Sequence, residues 1–236
     1  VLKYCMAGQH PSTITPSTHQ PSTLNPQPSM PRILANTISV LMHPGLMPTA
    51  LFALLMLSGK GLIPEDESFR LTLLGLIFNF TFLLPLLLVA ILYMRGYISS
   101  IKMADRQERT IPFMLISFCY LLLAWLFYLR LPNLFMLSSL MACIALTQAI
   151  STLITLKFKI SIHSIALSGT LGALLALQIL MSELELMYAL VVCSALLGIT
   201  MSARLSLNAH TPEQVNWGAA FGFAFNLSGL LLLDWL

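Results

Sequence analysis

Three short stretches of this 236-residue chain combine side chains that could hold and cleave a phosphate ester. In KMADRQERTIP, Lys102 and Arg109 stand seven residues apart, close to two helical turns, so a helix through them would turn both cations to one side. In KFKISIHS, Ser161 directly precedes a charge-free segment and is placed to cap it, so that free backbone N–H groups and the positive helix end would point at an anion beside His163. In SARLSLNAHTPEQV, Arg204 is followed by His210, and Thr211-Pro212-Glu213-Gln214 reads as a helix start with a capping box between Thr211 and Gln214. A tetrahedral phosphate and its more highly charged transition state need donors in several fixed directions. Arg forks, a Lys point charge, a hydroxyl and a helix N-terminus supply them. One imidazole can attack phosphorus while another protonates the leaving oxygen. Taken singly, each stretch also has a plainer reading: a positive membrane flank, a capped helix start, a boundary histidine.

Elements that could bring the three stretches together are legible in the charge pattern. The chain is 57% apolar and 9% charged, against about 25% charged in ordinary globular proteins. Charge-free intervals run over 33–59, 71–94, 110–129, 131–156, 160–182, 186–203 and 214–233. Each reaches the roughly 18 residues that a helix needs to cross a bilayer core. Leu, Met, Ala and Phe dominate without period-two alternation, which favours helices over a membrane barrel. The expectation is an all-α, polytopic transmembrane bundle of six to seven crossings. His43, Pro44 and Pro48 interrupt the first interval, so its crossing would begin near Gly45.

Residues 1–32 form a separate unit, an expected disordered tail, because Pro-Ser-Thr recurs at 11, 16 and 21 and more prolines follow. Residues 33–236 make up the membrane domain. Counting crossings places all three chemistry-bearing loops on one face, called here the basic face. It carries nine of the 12 Lys and Arg, with Lys60, Arg70 and Arg130 opposite. A net charge of +3 is too small to hold a nucleic-acid backbone, so no nucleic-acid partner is expected. Cys5, Cys119, Cys143 and Cys193 show no disulfide or zinc spacing. The acidic run Glu65-Asp66-Glu67 falls on the face away from the basic loops, which argues against a prenyltransferase using Mg²⁺ on a diphosphate.

The three stretches resemble the three-part signature of the type 2 phosphatidic acid phosphatase superfamily, integral-membrane lipid phosphatases related to vanadium haloperoxidases. That signature reads Lys, six residues, Arg-Pro; then Pro-Ser-Gly-His; then Ser-Arg, five residues, His, three residues, Asp. Lys102 and Arg109 keep the first spacing, with the proline later, at Pro112. Ser161 and His163 match the second, with Ile160 and Ile162 in place of Pro and Gly. Arg204 and His210 keep the third, with Ala203 between Ser202 and Arg204 and with Gln214 at the Asp position. The resemblance covers about 100–222.

The resemblance implies a metal-independent, cofactor-free phosphatase of a bacterial inner membrane acting on a lipid phosphate such as phosphatidate, phosphatidylglycerol phosphate or a polyprenyl diphosphate. His210 would be the nucleophile that forms a phosphohistidine, His163 the general acid, and Gln214 the group that orients the nucleophile. Lys102, Arg109, Ser161 and Arg204 would hold the phosphate. An amide at 214 orients a ring but adds no charge; in serine proteases the acid-to-amide change costs about 10⁴ in rate. That departure leaves a second expectation open, a diverged relative that binds or moves a lipid phosphate without cleaving it. The positive-inside count points the basic face to the cytoplasm, whereas the resemblance implies a periplasmic or lumenal active face.

Overall fold

The computed structural model describes residues 30–58, 62–100, 107–182 and 185–233. Among these residues it is helical, with no strand, and seven helical stretches are long and apolar enough to cross a membrane. Helices α1 (Arg32–Leu41) and α2 (Met47–Ser58) form the first stretch. Helices α3 (Glu67–Phe78) and α4 (Leu84–Met94) form the second. The rest are α5 (Thr110–Arg130), α6 (Phe135–Thr155), α7 (Ile162–Leu180), α8 (Met187–Ser206) and α9 (Pro212–Leu233). Large apolar side chains such as Phe118, Trp125, Val191, Val192 and Leu232 lie exposed along these helices. In water so much apolar surface would drive aggregation; in hydrocarbon it is the solvated side. The chain is an integral, multi-pass membrane protein. Residues 1–29, which hold most of the expected tail, lie outside the described residues.

Helix ends follow local chemistry. Asp66 caps α3 by accepting from the Phe69 N–H at 2.6 Å, which draws Glu67 and Arg70 into a helix that charge alone would have begun at 71. Arg70 remains affordable there because its Nε donates to the Pro64 carbonyl at 2.8 Å.

The first two stretches are both broken, and the breaks fit together. Proline disfavours a helical conformation in the residue before it. His43 accordingly takes φ −63°, ψ 130°, and its Nδ1 accepts from the Gly45 N–H at 3.2 Å. In the second stretch the chain passes through a π-helical turn, Asn79–Leu83, just before Pro85. Pro85 has no N–H to give the Thr81 carbonyl, and the buried Tyr120 hydroxyl of α5 donates to that carbonyl instead, at 3.2 Å. The Thr81 hydroxyl reaches the Gly45 carbonyl at 3.0 Å. A Cβ on Gly45 would lie 2.7 Å from the Thr81 oxygen, so the two bends meet backbone to backbone.

Helices α6 and α7 are the most buried of the membrane-spanning helices. Helices α7 and α9 run parallel and pack more closely than any other pair. Gly218 and Gly222 of α9 and Gly169 and Gly172 of α7 form the seam: a Cβ on Gly222 would meet the Ile165 carbonyl at 2.4 Å, and one on Gly172 the Phe223 carbonyl at 2.4 Å. Small residues four apart let backbones approach in a membrane, where burial alone gives no force between helices. Deeper in the seam, buried Asn226 donates to the Thr147 hydroxyl of α6 at 2.9 Å. Helices α5 and α6 form an antiparallel hairpin joined by the Ser117–Thr152 hydroxyl pair at 2.8 Å.

Candidate active site on the basic face

The α7–α9 seam joins the second and third motif stretches at their heads. The Ser161 N–H donates to the Gln214 carbonyl at 3.2 Å. Ser161 is fully buried, and its hydroxyl caps α7 by accepting from the Ser164 N–H at 3.4 Å and the Ser164 hydroxyl at 3.0 Å. Both bonds use the oxygen as acceptor, so what Ser161 offers an anion is its O–H together with an ordered helix start.

Helix α8 delivers the third stretch through a Schellman turn. Asn208 takes φ 51°, a left-handed conformation that Asn tolerates. Its N–H donates to the Leu205 carbonyl at 2.9 Å, and the Ala209 N–H donates to the Arg204 carbonyl at 3.2 Å. Two residues after the turn comes His210. The expected capping box is formed: the Gln214 N–H donates to the Thr211 hydroxyl at 3.4 Å and the Thr211 N–H donates to Gln214 Oε1 at 3.3 Å. That same Oε1 lies 3.0 Å from His210 Nδ1. Because a backbone N–H already identifies this atom as the acceptor, Nδ1 must be the donor. Nε2 of His210 then carries the lone pair. Burial first, then Arg204, with smaller contributions from Arg109 and Lys159, pushes the His210 pKa down to about 4 against the Gln214 bond, which raises it. The ring is neutral at pH 7.

Arg204, in the last turn of α8, donates from Nη1 to the Ser39 hydroxyl at 3.3 Å. Its Nε is buried and finds no acceptor among the described residues. His163, one residue into α7, places Nε2 3.1 Å from the Ser39 carbonyl and meets the ring of His43 edge-on, with centroids 6.2 Å apart. Arg204 and His210 both act electrostatically on His163. Arg109 closes a short 3-10 turn, Gln107–Arg109, at the start of α5 and is buried near Arg204 and His210. The neighbouring Glu108 accepts from the Ser99 N–H at 3.0 Å, which ties the start of this loop to its end.

His163, His210, Gln214, Arg204, Arg109 and the Ser161 cap thus share one end of the bundle. Lys102 lies outside the described residues. Three further neighbours were not singled out as site residues from sequence: Lys159, His43 and Ser39. A signal existed for His43, a lone imidazole before proline in a charge-free interval; Ser39 offered none.

No family model, no curated protein and no solved structure matches the chain.

Proposed function

We propose that the protein is a membrane lipid phosphatase that hydrolyses a phosphomonoester or diphosphate of a lipid through a phosphohistidine on His210. The observation that carries this reading is the His210–Gln214 pair at 3.0 Å, which holds Nδ1 as the donor and leaves a neutral ring with Nε2 free to attack. The attack forms an Nε2–P bond and breaks the P–O bond to the lipid alcohol, which takes its proton from Nδ1 of a doubly protonated His163, the form that a bound phosphate dianion stabilises. Water, giving a proton back to Nδ1 of His163, then displaces His210 from phosphorus, and inorganic phosphate leaves. Arg204 and Arg109 balance the charge on the equatorial oxygens, and the capped α7 terminus adds a fixed dipole.

A lipid substrate is supported by an apolar groove of about 570 Å³ between α6 and α9, lined by Ile154, Phe158, Ile160, Trp217, Ala220, Phe221 and Ala224. It begins beside Ser161 and Gln214, where a head group in the site would hand its hydrocarbon to the membrane. A bacterial inner membrane belongs to the same reading, through the resemblance alone. The test is phosphate release from phosphatidate, phosphatidylglycerol phosphate and polyprenyl diphosphate vesicles, with and without EDTA. Activity with at least one of them, unchanged by EDTA and lowered at least 10³-fold in His210→Ala, is expected. Equal rates in the variant and its parent would refute the assigned nucleophile.

One observation favours a second reading, a binding or transport protein of the same fold: Gln214 is neutral and brings no charge to the His210 ring. Transient ³²P labelling of His210 excludes that reading, and tight binding without turnover across the three lipids establishes it.

A further inference from the structure

Ser39 belongs to none of the motif stretches, yet it touches two of them. It sits in α1, which buries one short stripe, Ala35 and Ser39, against α8. The chain breaks immediately afterwards at Met42 and His43, between α1 and α2 of the first stretch. At 8% exposure Ser39 is buried, with both of its oxygens turned to the site.

The two contacts select how the site residues present themselves. A main-chain carbonyl only accepts, so the Ser39 carbonyl makes Nε2 of His163 the donor and leaves Nδ1 for a ligand. The Ser39 hydroxyl takes Nη1 of Arg204, on one edge of the guanidinium. Nε points from the opposite edge, is buried, and finds no acceptor among the described residues. A buried cationic N–H left unpaired is costly, and the side edge of a guanidinium is one of the geometries that receives two oxygens of a phosphate.

We infer that Ser39 is a positioning residue of the phosphate site: by holding Nη1 it turns the Nε edge of Arg204 toward the anion, and by holding Nε2 it aims His163. This rests on the reading of the basic face as a phosphate site, and not on whether hydrolysis follows.

Orthovanadate binding to the full chain in lipid nanodiscs, measured by calorimetry, tests it. Ser39→Ala weakens vanadate by about tenfold, the loss expected for one hydrogen bond to a charged group. Ser39→Thr, which keeps the hydroxyl, stays within about twofold of the parent. In the Arg204→Ala background, Ser39→Ala causes no further loss, because its effect runs through Arg204. Unchanged or tightened binding in Ser39→Ala, no rescue by threonine, or a further loss in the double variant each overturns the role of Ser39. A parent that binds no vanadate overturns the phosphate site and this role together. A parent that binds vanadate, responds to the variants and hydrolyses no lipid phosphate overturns only the hydrolase reading.

Discussion

The chemistry proposed for the site turns on one imidazole kept neutral. An unperturbed histidine has a pKa near 6.5 and would be partly protonated at pH 6; His210, buried and flanked by Arg204, is held at about 4. Attack requires the neutral ring, so kcat/KM for a soluble phosphomonoester, corrected for the substrate's own ionisation near pH 6, should lose the His210 contribution only near pH 4. Replacing the amide by its charged isostere, Gln214→Glu, stabilises the imidazolium. The acid limb then moves up toward neutrality and the plateau rate rises by roughly tenfold or more. A pH–rate profile of the two proteins decides this, and an acid limb near 6.5 in the parent would contradict the environment described for His210. The same shift bears on folding. The folded value lies below the unfolded 6.5, so protonation favours the unfolded chain: the contribution of His210 to stability is whole above pH 6.5 and is lost as pH falls through about 4.

Among the elements, the α7–α9 seam does most to set the site, because it fixes Ser161 against Gln214. A methyl group on Gly222 would press on the Ile165 carbonyl and the Ser168 hydroxyl, both at 2.4 Å. Gly222→Ala should force the helices apart and cost about 1–3 kcal/mol, lowering the thermal midpoint in detergent by several degrees and reducing phosphate release with it. Gly198→Ala in α8 is the control: a Cβ there meets nothing within 4 Å, so the change should be neutral or mildly stabilising. If the two variants melt alike, the seam is not what holds the pair.

The seam also marks where sequence reading stopped. Charge-free intervals located the crossings to within a few residues because each buried charge is costly, and Ser161 and the Thr211–Gln214 box announced their helix starts by local hydrogen-bonding rules. The Gly218, Gly222 and Asn226 stripe was present in the sequence, but its partner helix was not, since which helix faces a small-residue stripe is a tertiary fact. The contribution of Ser39 was hidden for the same reason: its main-chain carbonyl has no sequence signature. The π-helical turn before Pro85 was unreadable until Tyr120 was seen to take up the carbonyl that the proline leaves unpaired.

For the whole molecule, the parity of the crossings gathers the segments 95–100, 107–109, 157–161 and 207–211 on one face, and places the turns at 62–66, 131–134 and 185–186 on the other. With the native cysteines replaced, single cysteines at the exposed positions Tyr97, Lys157 and Asn208 should react with a membrane-impermeant maleimide from one side of sealed vesicles. Cysteines at Glu65, Asn133 and Glu185 should react from the other side. Mixed labelling within either set would break the topology, and with it the common site. The side on which the first set reacts also determines whether the positive-inside count or the family resemblance gives the orientation.

Laying α7 and α9 side by side in the same direction has an electrostatic consequence of its own. Parallel neighbours set like ends together, so the partial positive ends of α7 and α9 lie at the same end of the bundle as the guanidinium groups of Arg204 and Arg109. On the proposed reading, an oxyanion bound there is attracted by all of these charges at once. If that reading holds, occupancy is coupled to the cohesion of the bundle, and the resistance of the fold to heat should rise with anion concentration as mass action requires.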